Sequence, residues 1–377
     1  MVYLIHWGKY MLTDITVPIG GNGIIRERKI SSMEACVIEE WGGPLTVQTV
    51  PEPEPGPTEV RVDVRACAVT RTIENAIQGE LADDPTLTPR IPGHEFAGVV
   101  DAIGDEVEGV RPGDRVVAYF YLTCGECDAC RRGDTNQCLD FGGWYGVHCD
   151  GAYAERAVVP ASNVLPLPDG ASFAAGAIAA DGLATPLHVC RRASVTDTDT
   201  LLVIGAAGRI GIHLSQLAAL RGARVLAADV DDERLVFADS VTGDAVQPID
   251  ARGEGFADRL RKATPYGDGP TVVVDTVGDV GTLRAAWKAM ALSGRVVSLT
   301  THHDRSFDPL LKEFVVKEAA LLGSRYATKN EVVRAARLLA DGRIDPIVAE
   351  RVGLEDVPRV HEEIRSGERY GTVVLEP

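Results

Sequence analysis

Leu201-Leu202-Val203-Ile204-Gly205-Ala206-Ala207-Gly208-Arg209-Ile210-Gly211 opens the second half of this 377-residue chain. Four consecutive apolar residues read as a buried strand, and small residues then turn the chain. After the turn, Ile210, Leu214, Leu217 and Ala218 recur at helical spacing. The turn has the form A-x-G-x-x-G in place of G-x-G-x-x-G. Small side chains let the backbone approach a pyrophosphate closely, and the helix start offers free N–H groups and a positive dipole end. Gly222 stops the helix. Arg224 to Ala228 is the next strand, and Asp229 closes it, 21 residues after Gly208. A carboxylate there can accept hydrogen bonds from ribose hydroxyls and repels a 2′-phosphate, which favours NAD(H) over NADP(H). The expected cofactor-binding residues are Ala206, Gly208, Arg209, Ile210, Gly211, Asp229 and Val277. A glycine motif alone is weak, and the plain alternative is an ordinary βαβ turn with an unrelated aspartate. The strand, turn, helix and acid in sequence favour the dinucleotide reading.

Downstream, Thr271 to Asp275, Arg295 to Leu299 and Ala319 to Leu322 repeat the strand theme, with helical patterns between some of them. Alternation of β and α predicts a doubly wound parallel sheet with helices on both faces, and so an α/β protein. A last helix is expected over Glu331 to Leu339, ending at Gly342, followed by short strand-like pieces. Upstream, residues 33 to about 185 are rich in Gly, Pro and short β-branched runs. Val60 to Val64, Gly98 to Ala102 and Asp114 to Tyr119 suggest an irregular β-domain. Residues 1–32 show no sustained periodicity. They read as a non-native start or a disordered arm, or else as an arm that packs on a partner subunit.

The length fits two domains. The net charge of −17 disfavours nucleic acid and anionic membranes as partners. No window approaches the roughly 18 apolar residues of a spanning helix, since the small-apolar run around Phe173 to Ala180 stops at Asp181. The N-terminus lacks a basic segment followed by an apolar one, so a cytoplasmic location is expected.

Four of the eight cysteines cluster as Cys124-x2-Cys127-x2-Cys130-x7-Cys138. Four thiolates on a short loop can close a tetrahedral shell around zinc with no open position, which is a structural site. Four unrelated thiols are a poorer account of that spacing. Cys36, Cys67, Cys149 and Cys190 are scattered and read as small core residues.

With these pieces in place, residues 33–377 resemble the medium-chain dehydrogenase/reductase superfamily, which includes the zinc alcohol dehydrogenases. The resemblance rests on Ile91-Pro92-Gly93-His94-Glu95 with Gly98, Pro112-Gly113-Asp114-Arg115-Val116, the cysteine lobe, Asp150-Gly151-Ala152-Tyr153-Ala154-Glu155 and the glycine turn. It implies a GroES-like β-rich substrate domain over 33–185 and 326–377, a Rossmann dinucleotide-binding domain over 186–325, and a homodimer or homotetramer. It also implies that substrate and nicotinamide meet in the interdomain cleft.

Zinc-dependent members hold a second, catalytic zinc with a Cys in a C-x-T-D segment, the His of G-H-E and a further Cys, Asp or Glu. Here that segment reads Val69-Thr70-Arg71-Thr72-Ile73-Glu74-Asn75. Thr70 stands at the zinc Cys, Ile73 at the acid that orients the ligands, and Asn75 where a proton-relay His is common. A neutral hydroxyl is a poor zinc ligand. Cys67 is a weak substitute, because in an extended stretch it faces away from Thr70. His94 and Glu95 survive, and Asp181 falls at the third ligand by resemblance. Either these three still hold a zinc with a water in place of the thiolate, or they are polar groups of an empty cleft. Three departures on one segment favour the second reading.

Without a Lewis acid, alcohol oxidation loses its means of forming an alkoxide near neutral pH. Zinc-free members are typically reductases of activated double bonds, and Gly205 to His213 and Ala327 to Ile347 look like acryloyl-CoA and quinone reductase relatives. The expected function is therefore NAD(H)-dependent hydride transfer to an enone, quinone or enoyl thioester. Thr70 and Thr72 are the expected hydrogen-bond donors, with His94 and Asp181 beside them. Each hydroxyl also has an ordinary reading as a turn or cap. A zinc-dependent alcohol or polyol dehydrogenase with an altered shell is the alternative, and a non-catalytic nucleotide-binding protein is the third hypothesis.

Overall fold

A computed structural model describes residues 31–80, 84–242, 245–302 and 304–377. The readings made of residues 1–30 lie outside the described residues. The described chain opens with the strand Ser32–Ile38, paired antiparallel with Leu45–Pro51.

Six parallel strands make one sheet, in the spatial order Val246–Asp250, Arg224–Asp229, Thr200–Ile204, Val272–Asp275, Arg295–Ser298 and Ala320–Gly323. Numbered along the chain this is 3-2-1-4-5-6, the doubly wound dinucleotide-binding order. The order reverses between Thr200–Ile204 and Val272–Asp275, so the loops leaving these two strands open a crevice at their carboxyl ends. The glycine turn is the first of those loops. The helix after it runs Arg209–Leu220. Gly222, at φ +88°, takes the left-handed conformation that ends it.

A second, mostly antiparallel sheet centres on the long strand Glu59–Val69. Glu95–Ile103, Arg156–Pro160 and Thr372–Leu375 all pair with it. Arg115–Ala118 and Val164–Pro166 extend it on one side, and Val348–Val352 on the other. The C-terminal tail thus returns to the sheet built by the first part of the chain.

The structure corrects two local readings. The apolar run at Phe173 does not stop at Asp181. It continues as the helix Phe173–Ile178, a π-helical turn Ala179–Leu183, and the helix Ala184–Arg192. By length and composition this run could cross a membrane, yet 94% of its apolar window is buried within the molecule, where it serves as core between the two sheets. The π turn inserts one residue per turn and swings Asp181 toward the cleft. Second, the tail is not strands alone: Val357–Ser366 is a helix that buries Val357, Val360, His361 and Ile364. As expected of a core residue, the Cys67 thiol is fully buried beside the carbonyl of Ala68 and does not join the cluster at His94. The helix expected at Glu331 forms as Lys329–Ala340, with Thr328 and Glu331 closing a reciprocal capping box.

Candidate active site and metal centres

A cleft of about 2010 Å³ runs between the sheets and brings most of the expected cofactor and substrate residues to one surface, while Ala206 and Gly211 are buried and do not line it. On the dinucleotide side it exposes Gly205, Gly208, Arg209, Ile210, Asp229 and Val277. Gly205 has φ +83°, and a Cβ there would lie 2.5 Å from Val277 Cγ2, so turn and neighbouring loop meet only because the position is glycine. The Asp229 carboxylate accepts from the amides of Ala207, at 3.2 Å, and Val230, at 2.9 Å, so it braces the turn as well as facing the cleft. Arg252, far from this motif in sequence, also lines the region, but Asp232 and Asp250 engage its guanidinium.

On the other side, Thr70 ends the central strand and caps the helix Arg71–Ile77. Its Oγ accepts from the Ile73 amide at 3.3 Å, so the ordinary cap reading is realised while the O–H stays available to donate. Thr72 lies two residues on, in the first turn of that helix and at the cleft surface. His94 is presented by Gly93, whose φ of +99° lets the backbone pass Tyr153; a Cβ there would sit 2.5 Å from the ring. The His94 ring stacks edge-on against Phe120 at 4.3 Å, and Phe120 meets Tyr326 at 4.0 Å. This aromatic wall, with Tyr121 and Trp144, was not read from sequence. Tyr326 joins it only because the chain returns, and local spacing carries no sign of that.

His94, Glu95 and Asp181 each place a ligand atom within 4.8 Å of the others, all three buried. The residue that sequence reasoning missed here is Arg209. It was expected to serve the cofactor through the turn, but its side chain crosses the cleft. Nη1 donates to Glu95 Oε2 at 2.7 Å and Nη2 to Asp181 Oδ2 at 3.1 Å. Thr185 Oγ1 donates to the other Asp181 oxygen. Burial opposes ionisation of both carboxyls. For Glu95 it prevails and raises the pKa, whereas for Asp181 the Arg209 charge and the Thr185 O–H outweigh it and lower the pKa. Both ring nitrogens of His94, and Glu95 Oε1 3.2 Å away, have no hydrogen-bond partner among the described residues. A guanidinium already balances the two carboxylates, and the fourth ligand position is a capped threonine. The three side chains can converge on a metal, but with a guanidinium on both carboxylates and no thiolate beside them they are a poorer zinc site than four cysteines.

The cysteine lobe does fit a zinc. Its four sulfurs lie within 4.8 Å of one another as free thiols. Cys124 and Cys138 are 3.5 Å apart, and Cys127 and Cys138 4.0 Å. A zinc–sulfur bond of about 2.3 Å implies tetrahedral edges near 3.8 Å. Backbone amides of Cys124, Cys127 and Leu139 point at sulfur. The Leu139 amide leads the interactions that draw the Cys127 thiol down to about 6, whereas burial, followed by the neighbouring Cys127, pushes the Cys130 thiol up to about 12.

A doubly wound sheet with a dinucleotide turn, opening on a polar cleft under a β-domain, defines a nicotinamide-dependent dehydrogenase or reductase. Comparison with known proteins narrows this. Residues 56–169 match the alcohol dehydrogenase GroES-like domain, and residues 210–341 match the zinc-binding dehydrogenase family. The chain is 30% identical to an acryloyl-coenzyme A reductase of Metallosphaera sedula, over 91% of this chain and 99% of that protein. It is 29% identical to an NAD-dependent alcohol dehydrogenase of Sulfurisphaera tokodaii, over 92% and 100%. The crystal structure of AibC superposes with a TM-score of 0.84 at 30% identity, over 93% and 97% of the two chains. The chain belongs to the medium-chain dehydrogenase/reductase superfamily. It is an oxidoreductase enzyme of alcohol dehydrogenase-like build, with a cysteine cluster able to bind zinc.

Proposed function

We propose that the enzyme reduces activated carbon–carbon double bonds of the enone, quinone or enoyl-thioester class with NADH, holding one zinc in the cysteine lobe and none in the cleft, as a homodimer or homotetramer. The observation that carries this reading is Thr70. Where the family's zinc thiolate stands, this chain has a buried hydroxyl already committed to a helix cap. NADH, when bound, supplies the hydride received by the β-carbon. The residues of the chain do the rest. Ala206 through Gly211 cradle the pyrophosphate, Asp229 takes the adenosine ribose, and Val277 borders the cofactor. Thr70 and Thr72 donate O–H groups to the substrate oxygen, on which the enolate charge develops. A proton at the α-carbon completes the reduction. Phe120, Tyr121 and Tyr326 exclude water from that charge, so each donor acts at lower dielectric than in solution. Similarity to an acryloyl-coenzyme A reductase supports the reaction class.

The retained trio His94, Glu95 and Asp181 favours the second reading, a zinc alcohol or polyol dehydrogenase with an altered shell. A panel of enones, quinones, enoyl-CoA esters, aldehydes and alcohols, read by nicotinamide absorbance alongside zinc analysis, separates the two. Alkene reduction with about one zinc per chain is expected. Alcohol oxidation that depends on a second, removable zinc would transfer the assignment.

A further inference from the structure

We propose that Arg209 is the resident cation of the cleft, and that its guanidinium keeps His94, Glu95 and Asp181 from closing on a divalent metal. This deepens the zinc-free reading, on which it rests. The trio is assembled as a ligand set would be: three buried side chains from two segments, converging within 4.8 Å. Glu95 is fully buried and His94 is 1% exposed, so neither carboxylate charge nor imidazole is shared with bulk water. Something inside the protein must balance the acids. The only guanidinium hydrogen-bonded to either of them among the described residues is that of Arg209, which reaches one oxygen of each.

The remaining ligand atoms show what is missing. Glu95 Oε1 and His94 Nε2 lie 3.2 Å apart, and among the described residues neither these atoms nor His94 Nδ1 has a hydrogen-bond partner. A site evolved as a closed polar network would satisfy them. A ligand set whose cation has been replaced from one side leaves them over. A dication beside a fixed guanidinium meets like-charge repulsion at short range in a low-dielectric cleft, which strongly disfavours co-occupancy.

Position in the chain explains why this residue can do it. Arg209 is the first residue of the helix Arg209–Leu220, directly after Gly208 of the dinucleotide turn. Its backbone stays with the cofactor-binding turn while its side chain crosses to the other sheet. The residue therefore ties the cofactor loop to the charge balance of the reaction site without using its charge on the pyrophosphate.

The test is metal stoichiometry, which does not depend on knowing the substrate. Wild-type protein dialysed against Co²⁺ or Zn²⁺ should hold about one ion per chain, in the cysteine lobe. Arg209→Ala should hold about two, and the second should show cobalt absorption typical of nitrogen and oxygen ligands rather than of thiolates alone. Arg209→Gln, which keeps hydrogen bonds to the carboxylates but not the charge, should also gain the ion. Arg209→Lys should not. Adding His94→Ala to Arg209→Ala should remove the gain. If folded Arg209→Ala and Arg209→Gln proteins still hold one ion, the proposal is overturned while the zinc-free reaction stands. If wild-type protein holds two, both fall together.

Discussion

Asp229 and Arg209 mark the two limits of what single residues disclose. The role proposed for Asp229 rests on its distance along the chain after Gly208, because a strand, a turn and a helix of ordinary length bring it back beside the turn. The structure adds that it holds the amides of Ala207 and Val230, which complicates the usual test. Replacement by Ser or Gly would loosen the turn and change specificity at once. Asp229→Asn keeps an acceptor oxygen and removes the charge that repels a 2′-phosphate. It should lower the ratio of kcat/KM for NADH over NADPH by roughly tenfold, equivalent to about 1.4 kcal/mol, with KM for NADH changed far less. An unchanged ratio, or a wild-type enzyme that prefers NADPH, would remove Asp229 as the determinant. Arg252 would then need examination, since it lines the same region and is held by two acids. Arg209 was legible only as a turn residue. Its partners Glu95 and Asp181 lie 114 and 28 residues away, and no local pattern encodes where a long side chain ends.

Among the elements, strands with strong apolar runs were readable because burial on both faces leaves nothing else in the sequence. The doubly wound order followed from their alternation with helices. Two helical features escaped. Val357–Ser366 carries its buried residues at the correct spacing, but one of them is a histidine and the second residue is proline, so the apolar stripe is disguised. Asp181 looked like the end of an apolar helix, whereas a π turn and Thr185 accommodate its charge inside one. A third case joins two helices and is testable. Glu331 caps Lys329–Ala340, accepts from Thr328, and pairs with His188 at 2.9 Å and Arg191 at 2.8 Å on Ala184–Arg192. Burial opposes its ionisation, but His188, the Thr328 amide and Arg191 prevail and hold the carboxyl at about 2. A depressed pKa contributes stability that is complete above the unfolded value, about 4.3, and is lost as pH falls toward 2. Wild type should therefore exceed Glu331→Gln by on the order of 2–3 kcal/mol near pH 7. The gap should close as urea melts are repeated from pH 5 downward. A gap independent of pH would show that the side chain acts by packing alone.

At the scale of the whole molecule, the cysteine lobe is a brace between distant parts of the chain and not an appendage. Between Cys130 and Cys138 the loop sends Asn136 to the carbonyl of Arg325 at 2.8 Å and to within 3.3 Å of His188. It also sends the Thr135 hydroxyl to the phenol of Tyr119 and to the amide of Lys329, both at 3.0 Å. The antiparallel sheet, the buried helix Ala184–Arg192 and the returning C-terminal segment thus meet at one short loop. That loop has little regular structure to hold its shape: a four-residue helix, Asp128–Arg131, and a turn. A metal held by the four thiolates would supply the missing rigidity, because metal binding free energy is folding free energy where the unfolded chain has no preformed site. The cleft takes no ligand atom from the lobe, so metal loss should appear first as instability. Cys127→Ser should lose the lobe metal, melt several degrees lower and assemble less completely, and prolonged chelation of wild type should do the same. In the cold, where the chain stays folded, turnover per folded molecule should remain within a few-fold of wild type, with KM raised where Asn136 and Arg325 lose register. A Cys127→Ser protein with full metal content and wild-type melting would contradict the brace. Turnover that vanishes at once on mild chelation, ahead of any change in melting, would place a working metal in the cleft and overturn the separation of the two sites.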